Sequence, residues 1–298
     1  RVLISLSPAD LKKEGAGFDL ALALAVLQAN SGAPAQKNAP QDAAPAAAEG
    51  TTAVAADDGA VLVMGELELS GALRAVKGVN AAASTAAQAG IRRCIVSAAK
   101  GAEAREVTGM QVFAAENLSE AYHALKHPEL FTAGNQGDSA FLPDGTVEVE
   151  GVPFPAVPPD CEFSDVVGQP KLVRALQIAA AGGHNLLAYG APGCGKTLAL
   201  QRFPSLLPLL TVEEAQSVTR IHSIAGLLLP NQPLIRIPTF RQPHQTSSVE
   251  GLCGGGAHCR PGEISLAHNG VLFLDEAAEF KSAVLQMLRV PVESGSIS

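Results

Sequence analysis

The stretch Asn185-Leu186-Leu187-Ala188-Tyr189-Gly190-Ala191-Pro192-Gly193-Cys194-Gly195-Lys196-Thr197 decides how this 298-residue chain is read. A short apolar run, Leu186 to Tyr189, leads into G-x-x-x-x-G-K-T at Gly190 to Thr197. That spacing is the signature of a loop that cradles phosphate. Backbone N–H groups have to converge on phosphate oxygens, and glycines let the chain approach closely and turn sharply. Lys196 supplies a mobile ammonium for the β- and γ-phosphates of ATP. Thr197 supplies a hydroxyl for Mg2+, which takes oxygen ligands. A helix from Lys196 to about Phe203 then points its positive dipole end at the same phosphates. The nucleotide-binding set read from the loop is Gly190, Ala191, Pro192, Gly193, Cys194, Gly195, Lys196, Thr197 and Leu198.

Further along, Gly270-Val271-Leu272-Phe273-Leu274-Asp275-Glu276 is a continuous apolar run ending in two acids. It reads as a central parallel strand that delivers carboxylates to its C-terminal edge. Asp275 is expected to hold Mg2+ through water, and Glu276 to polarise the attacking water. Lys196, Asp275 and Glu276 are thus the candidate catalytic residues, and Thr197 and Asp275 the candidate metal residues. The plain alternatives are a Gly-rich turn that merely ends in Lys-Thr, and a strand whose acids are its solvated end. A buried strand before the loop and the helix-like Leu198-Ala199-Leu200 after it favour the phosphate site.

Hydrophobic residues make up 47% of the chain and charged residues 17%, which leaves room for two domains with sizeable cores. Aromatics are only 4%, so those cores are built largely from small aliphatics. The net charge is −8, and the acids concentrate in residues 1–160, with 19 Asp and Glu against 11 Lys and Arg. No broad basic face for nucleic acid is present. A ring-shaped oligomer needs only a few loop residues to touch DNA, so that partner stays open. The five cysteines, Cys94, Cys161, Cys194, Cys253 and Cys259, are odd in number and lack a C-x-x-C pair, which fits a reducing compartment. Cys253, Cys259 and His258 match no common zinc-site spacing and lack a fourth ligand. The longest apolar run, Leu20 to Leu27, falls far short of the roughly 20 residues that span a bilayer. A cytoplasmic location without a membrane partner is expected. The chain opens at Arg1 in what reads as mid-strand and stops at Ser298 just after a helix, as expected of a fragment cut at both ends.

Taken in order, Val2 to Leu6 reads as a strand, Ser7 to Gly15 as a polar loop, and Phe18 to Ala29 as an apolar helix, buried on most sides. Gly32 to Gly59 is a low-complexity insert of Ala, Pro, Gln and Asp that reads as disordered. Strands are expected over Val61–Leu69, Arg92–Ser97 and Gln111–Phe113. Helices are expected from Gly78 to about Ala89 and from Asn117, which has N-cap spacing, to about Lys126. Gly134 to Asp160 reads as a linker, with a strand at Glu148–Val152. Pro170 opens a helix that Gly182-Gly183 closes. Thr211-Val212-Glu213-Glu214 is a capping box for a helix to about Ile221. The Pro- and Gly-rich stretch 223–265 has no clear assignment, with a mobile loop at Gly254–Gly256, and Glu279 to Arg289 reads as a helix.

These residues carry a family resemblance. Phe163-Ser164-Asp165-Val166-Val167-Gly168-Gln169 resembles the segment of AAA+ ATPases that lies beside the adenine, which makes Val167 and Gly168 further nucleotide-binding candidates. Ala180 to Leu187, Arg260 to Glu276, and Phe240-Arg241-Gln242-Pro243-His244 are similar to the magnesium-chelatase branch of that superfamily. There the last motif is usually F-R-x-P-H-H, and Gln245 stands at its second histidine. Pro8 to Gly15, Phe18-Asp19-Leu20, Gly65-Glu66-Leu67 and Gly71-Ala72-Leu73-Arg74 resemble the Lon-protease-like domain that precedes the ATPase in the ComM/YifB competence-protein family. The fold implied is α/β throughout. A Lon-protease-like (ribosomal protein S5 domain 2-like) domain over 1–133 is followed by the 134–160 linker. An AAA+ P-loop NTPase core with a parallel sheet then occupies 161–298, truncated before its lid and sensor regions.

The resemblance implies an ATP- and Mg2+-dependent ring motor, a hexamer that acts on DNA as a helicase or branch-migration factor in recombination or natural transformation. The alternative it allows is a chelatase subunit that drives metal insertion into a porphyrin. A fragment of this extent is expected to bind Mg·ATP and hydrolyse it slowly, because an arginine supplied in trans stabilises transition-state charge. In the first domain the position of the Lon nucleophile falls at or near Gly17. Lys77 lies near the partner position, and a lysine base without a nucleophile cannot cleave peptides by this route. Basic residues of Ile235–Arg241 and of the Gly254–Arg260 loop are the candidate DNA-facing elements, while His244 and His258 read as structural.

Overall fold

The computed structural model describes residues 16–30, 59–134, 142–157, 162–229, 232–256 and 259–295. The strand expected at Val2–Leu6, the loop after it and all of the Gly32–Gly59 insert but Gly59 lie outside the described residues. The chain divides into two compact units, Arg1–Ser139 with Leu228–Pro233, and Ala140–Leu227 with Leu234–Ser298.

The first unit is a mixed α/β layer structure. Its elements are α1 (Asp19–Asn30), β1 (Val61–Met64), β2 (Glu66–Leu67), β3 (Leu73–Arg74), α2 (Val79–Gln88), β4 (Arg93–Ser97), α3 (Gly101–Arg105), β5 (Gln111–Ala115), α4 (Leu118–Lys126) and β6 (Thr132–Ala133). The main sheet runs β1-β4-β5-β6, with the first three strands parallel and β6 antiparallel at the edge. Strand alternation sorts the core onto two faces. Cys94 and Val96 face a cluster with Val79, Ala83, Ala104 and Met110, while Ile95 joins Leu20, Leu24, Ala121 and Ala124 on the other side. Buried on both faces, β4 is the β-branched run that a covered parallel sheet requires. The same burial pushes the Cys94 thiol up to about 12. Alanines let the helices sit close, and Gly101 has no room for even a methyl, since a Cβ there would lie 2.7 Å from that of Ala114.

Helix α4 starts as its cap spacing predicts, with the Asn117 side chain accepting from the Glu120 N–H at 3.0 Å. The expected strand 61–69 is broken. After β1 the chain turns into the β2–β3 hairpin, where exposed Glu68 pairs with Arg74, which holds that carboxyl below its usual range. Helix α1 buries only Leu20 and Leu24 fully, and Phe18 is exposed, so it is covered along one stripe rather than on most sides.

The second unit opens with a hairpin, β7 (Val147–Val149) and β8 (Val152–Phe154), inside the stretch expected to be a linker. Glu150 and Gly151, at φ 51° and 80°, form a turn whose twist matches the strands. The Leu209 N–H donates to the Pro153 carbonyl at 2.8 Å and ties the hairpin to its unit. Then come α5 (Pro170–Gly182), α6 (Lys196–Gln201), α7 (Val212–Ala225), β9 (Phe240–Arg241), α8 (Val249–Cys253), β10 (Gly254–Gly255), β11 (Arg260–Pro261), α9 (Glu263–Leu266), β12 (Val271–Leu272), α10 (Ser282–Met287) and α11 (Arg289–Ser294). Pro170 and Gly183 bound α5 as read, and Thr211 and Glu214 form the reciprocal capping box of α7. That helix runs four residues past the expected Ile221 and stops at Gly226 in the left-handed region. The Gly254–Gly256 stretch, read as a loop, puts Gly254 and Gly255 in an antiparallel ribbon with Pro261 and Arg260.

The strand expected at Glu148–Val152 is instead the β7–β8 hairpin, which turns at Glu150-Gly151, and two further strand expectations need correction. Leu186–Tyr189 forms no strand, and Leu187 and Tyr189 stand 83% and 92% exposed. A strand exists through its ladder partners, and among the described residues the parallel ladder of this unit joins only β9 and β12. The Gly270–Glu276 run likewise has two ladder residues, lengthened by one bond from the Phe273 N–H to the Arg241 carbonyl at 2.8 Å. Gly270 is fixed by close approach, because a Cβ there would fall 2.2 Å from the Thr239 carbonyl oxygen.

Candidate functional site

The loop Gly190–Thr197 sits between the exposed run and α6. Gly193 and Gly195 take φ 77° and 84°, values that a side chain resists, and a Cβ at either would point into open space. Gly195 is the left-handed cap of α6, so the helix N-terminus opens at Lys196. The Lys196 ammonium curls back and donates to the carbonyls of Gly190 and Ala191, each at 2.8 Å, and lies 3.5 Å from the Cys194 sulfur. A charged phosphate oxygen is a stronger acceptor for an ammonium than a neutral carbonyl.

The ladder of β9 and β12 brings the distant acids to this loop. The Thr197 hydroxyl donates to Asp275 Oδ1 at 3.4 Å, although 78 residues separate them. One hydroxyl and one carboxylate make a hard-oxygen pair of the kind Mg2+ takes, leaving its other positions to water and phosphate. Among the described residues no three His, Cys, Asp or Glu side chains converge as a metal site. His258 lies outside the described residues.

Glu276 follows Asp275 in the left-handed region at φ 50°, and its carboxylate accepts from the Gln245 amide at 2.7 Å. Gln245 was not singled out for a role in the sequence. Its signal was there, since it occupies the final position of the quoted F-R-Q-P-H-Q run. Gln169 was also missed. Its side chain reaches the Cys194 carbonyl at 3.4 Å and links the 163–169 segment to the loop. Asp165 in that segment meets Arg202 at 3.3 Å, one residue beyond α6. Val167, 90% exposed, and Gly168, at φ 80°, lie between these two attachments.

The basic stretch 235–241 is not the free basic element expected of a DNA-facing surface. Arg241 forms a forked pair with Glu263 at 2.7 and 2.8 Å, a bond that raises its already high pKa. Arg236 is buried, with Nε donating to the Leu210 carbonyl at 2.9 Å, and burial pulls its pKa down. Arg260, at the end of the other expected element, is exposed. His222, buried, bonds through Nε2 to the Leu266 carbonyl at 3.1 Å, and burial pulls its pKa below the usual imidazole range. Exposed His244 accepts the Thr246 N–H on Nδ1, a local structural role. In the first unit Gly17 carries no nucleophile and Lys77 is exposed.

Comparison with known proteins agrees with this architecture. Residues 162–298 match the family model described as magnesium chelatase, subunit ChlI, and residues 1–100 match subunit ChlI of Mg-chelatase. An uncharacterized protein of Mycobacterium tuberculosis is 39% identical over 298 residues, 100% of this chain and 52% of the relative. The uncharacterized protein YifB of Escherichia coli is 38% identical, again over 100% of this chain and 51% of the relative. Competence protein ComM of Haemophilus influenzae is 36% identical over 100% of this chain and 52% of the relative. The chain thus spans about half the length of these curated relatives. It belongs to the magnesium-chelatase family of AAA+ proteins, as a ComM/YifB-like member.

Proposed function

We propose that the second unit binds Mg·ATP and hydrolyses it. The observation that carries this reading is the meeting of the open glycine loop with Thr197 and Asp275 at one place. Lys196 leaves its two carbonyls for the β- and γ-phosphates, and the N-terminus of α6 faces the same charge. Thr197 and Asp275 would hold Mg2+, which would supply positive charge to the phosphate oxygens. Glu276 orients and deprotonates the attacking water. Val167 and Gly168 contact the adenine side, and the loop from Gly190 to Leu198 wraps the phosphates.

In this reading residues 161–298 form the motor core, the β7–β8 hairpin within 134–160 packs as part of that unit, and residues 1–133 are a Lon-protease-like module without peptidase chemistry. Gly17 in place of a nucleophile supports the last point. The motor assembles as a ring, a hexamer, in the cytoplasm and works on DNA during recombination or uptake of strands. The likeness to a competence protein supports the DNA substrate. With Arg236 buried and Arg241 paired with Glu263, the DNA contact in this reading falls to exposed Arg260. The chelatase reading is favoured by one finding, that both matched models describe a chelatase subunit.

ATP hydrolysis with and without single-stranded and branched DNA, with Lys196→Ala as the blank, separates the two readings. Stimulation by DNA that vanishes in the blank supports the DNA motor. Turnover indifferent to DNA but raised by porphyrin-handling partners contradicts it.

A further inference from the structure

We infer that the end of helix α4 is a metal-binding site, in which His123 and His127 take a divalent ion such as Zn2+ and Glu129 holds His127 from behind. His123 lies in the last turn of α4, and His127 is the C-cap of that helix, four residues on. That spacing sets both side chains on one stripe. It is the i, i+4 histidine pair that holds zinc on other helices. The two rings stack with centroids 4.2 Å apart and planes 24° from parallel. Two Zn–N bonds of about 2.0–2.1 Å together span about 4 Å, so rings at this separation come to share one ion by small side-chain rotations.

The surroundings prepare this pair for a metal. His127 Nδ1 lies 2.8 Å from Glu129 Oε1. An ionised carboxylate only accepts, so Nδ1 carries the proton and Nε2 keeps its lone pair for the ion. A carboxylate behind an imidazole is the arrangement that orients metal-bound histidines and raises their basicity. The backbone of His127 is fixed on both sides. Its N–H donates to the Ala124 carbonyl at 3.1 Å, and its carbonyl accepts from the Leu130 N–H at 3.0 Å. Pro128, which follows, restrains it further and opens the single turn Pro128–Leu130 that carries Glu129. Buried Ala121 and Ala124 anchor α4 to its core, while His123 and Glu129 are exposed and 43% of the His127 side chain reaches solvent. A helix C-terminus favours a cation, and Lys126, the ammonium of this last turn, is drawn over the Tyr122 ring at 4.2 Å. Imidazole ligands suit Zn2+, Cu2+ and Ni2+ over Mg2+. With Glu129 behind His127, the ion receives two protein nitrogens and fills its other positions with water. The site shares no residue with the candidate nucleotide loop.

The test is titration of the tag-free chain, its thiols alkylated, with Zn2+ in competition with a chromophoric chelator. The parent is expected to bind an equivalent of Zn2+ that His123→Ala and His127→Ala each lose. Glu129→Gln is expected to keep that equivalent with affinity lowered about tenfold, as for other partners that orient a ligand. The metal-free thermal midpoints of the three variants stay at the parent value. Electron paramagnetic resonance of the parent loaded with one equivalent of Cu2+ reads the ligands without any substitution, and two imidazole nitrogens are expected. Equal Zn2+ binding by the parent and both histidine variants overturns the inference, as do fewer than two nitrogens on Cu2+. Unchanged affinity in Glu129→Gln removes Glu129 from the site.

Discussion

Strand β4 and the run Leu186–Tyr189 look alike in the sequence. Each is a short apolar stretch with polar or glycine neighbours, and each reads as a buried parallel strand. In the structure β4 lies between β1 and β5, with Cys94, Ile95 and Val96 all fully buried between two layers of helices. Leu186–Tyr189 has no ladder partner among the described residues and holds Leu187 and Tyr189 out to solvent. Apolar composition qualifies a segment for the interior; hydrogen-bonding neighbours on both sides decide whether it becomes a strand. The candidate nucleotide loop hangs from the second segment, so its geometry rests on α6 and on the β9–β12 ladder instead.

The contrast can be broken by substitution. Ile95→Ala empties a fully enclosed position and is expected to cost about 3 kcal/mol in denaturant unfolding of the first unit. A cost below about 1 kcal/mol would mean that β4 is not the centre of its core. Gly270→Ala forces a methyl onto the Thr239 carbonyl and is expected to cost about 2 kcal/mol while pulling β12 from β9. Because that ladder carries Asp275 and Glu276, the same variant should lose hydrolysis before it loses fold.

A smaller effect is expected from pH. The folded state holds the pKa of His222 below its unfolded value, so folding favours the neutral ring. Its stabilisation is complete above the unfolded pKa of about 6.5 and declines as pH falls below it. The urea midpoint of the second unit should drop between pH 7.5 and 5.5, and the drop should shrink in His222→Gln. An equal drop in both proteins would remove His222 from the account. The smallest effect belongs to Leu187→Ser, within about 0.5 kcal/mol of the parent, as for any exposed site. A loss of 2 kcal/mol or more would show the segment buried in solution and would erase the comparison with β4.

How much was legible follows the range of the forces involved. The Asn117 and Thr211 caps, the stop of α5 at Gly183 and the loop Gly190–Thr197 are local, and their residues announce them. The strand expected at Glu148–Val152 is a hairpin in the structure, because Glu150 and Gly151 take left-handed φ values that no strand holds. The Arg241–Glu263 fork and the Gln245–Glu276 bond were not visible as contacts. Each needs a register across 22 or 31 residues that composition does not encode. The basic stretch 235–241 differs from its expectation for the same reason, since Arg236 is buried and Arg241 is paired with Glu263, a partner 22 residues away.

The central claim is that Gly190–Thr197 and Asp275 form one Mg·ATP site. Titration of the protein with a fluorescent ATP analogue, with and without Mg2+, tests it most directly, beside Lys196→Ala and Asp275→Asn. The account predicts saturable binding that Lys196→Ala abolishes, and a Mg2+ enhancement that Asp275→Asn removes while metal-free binding persists. Equal binding by the parent and Lys196→Ala would contradict it.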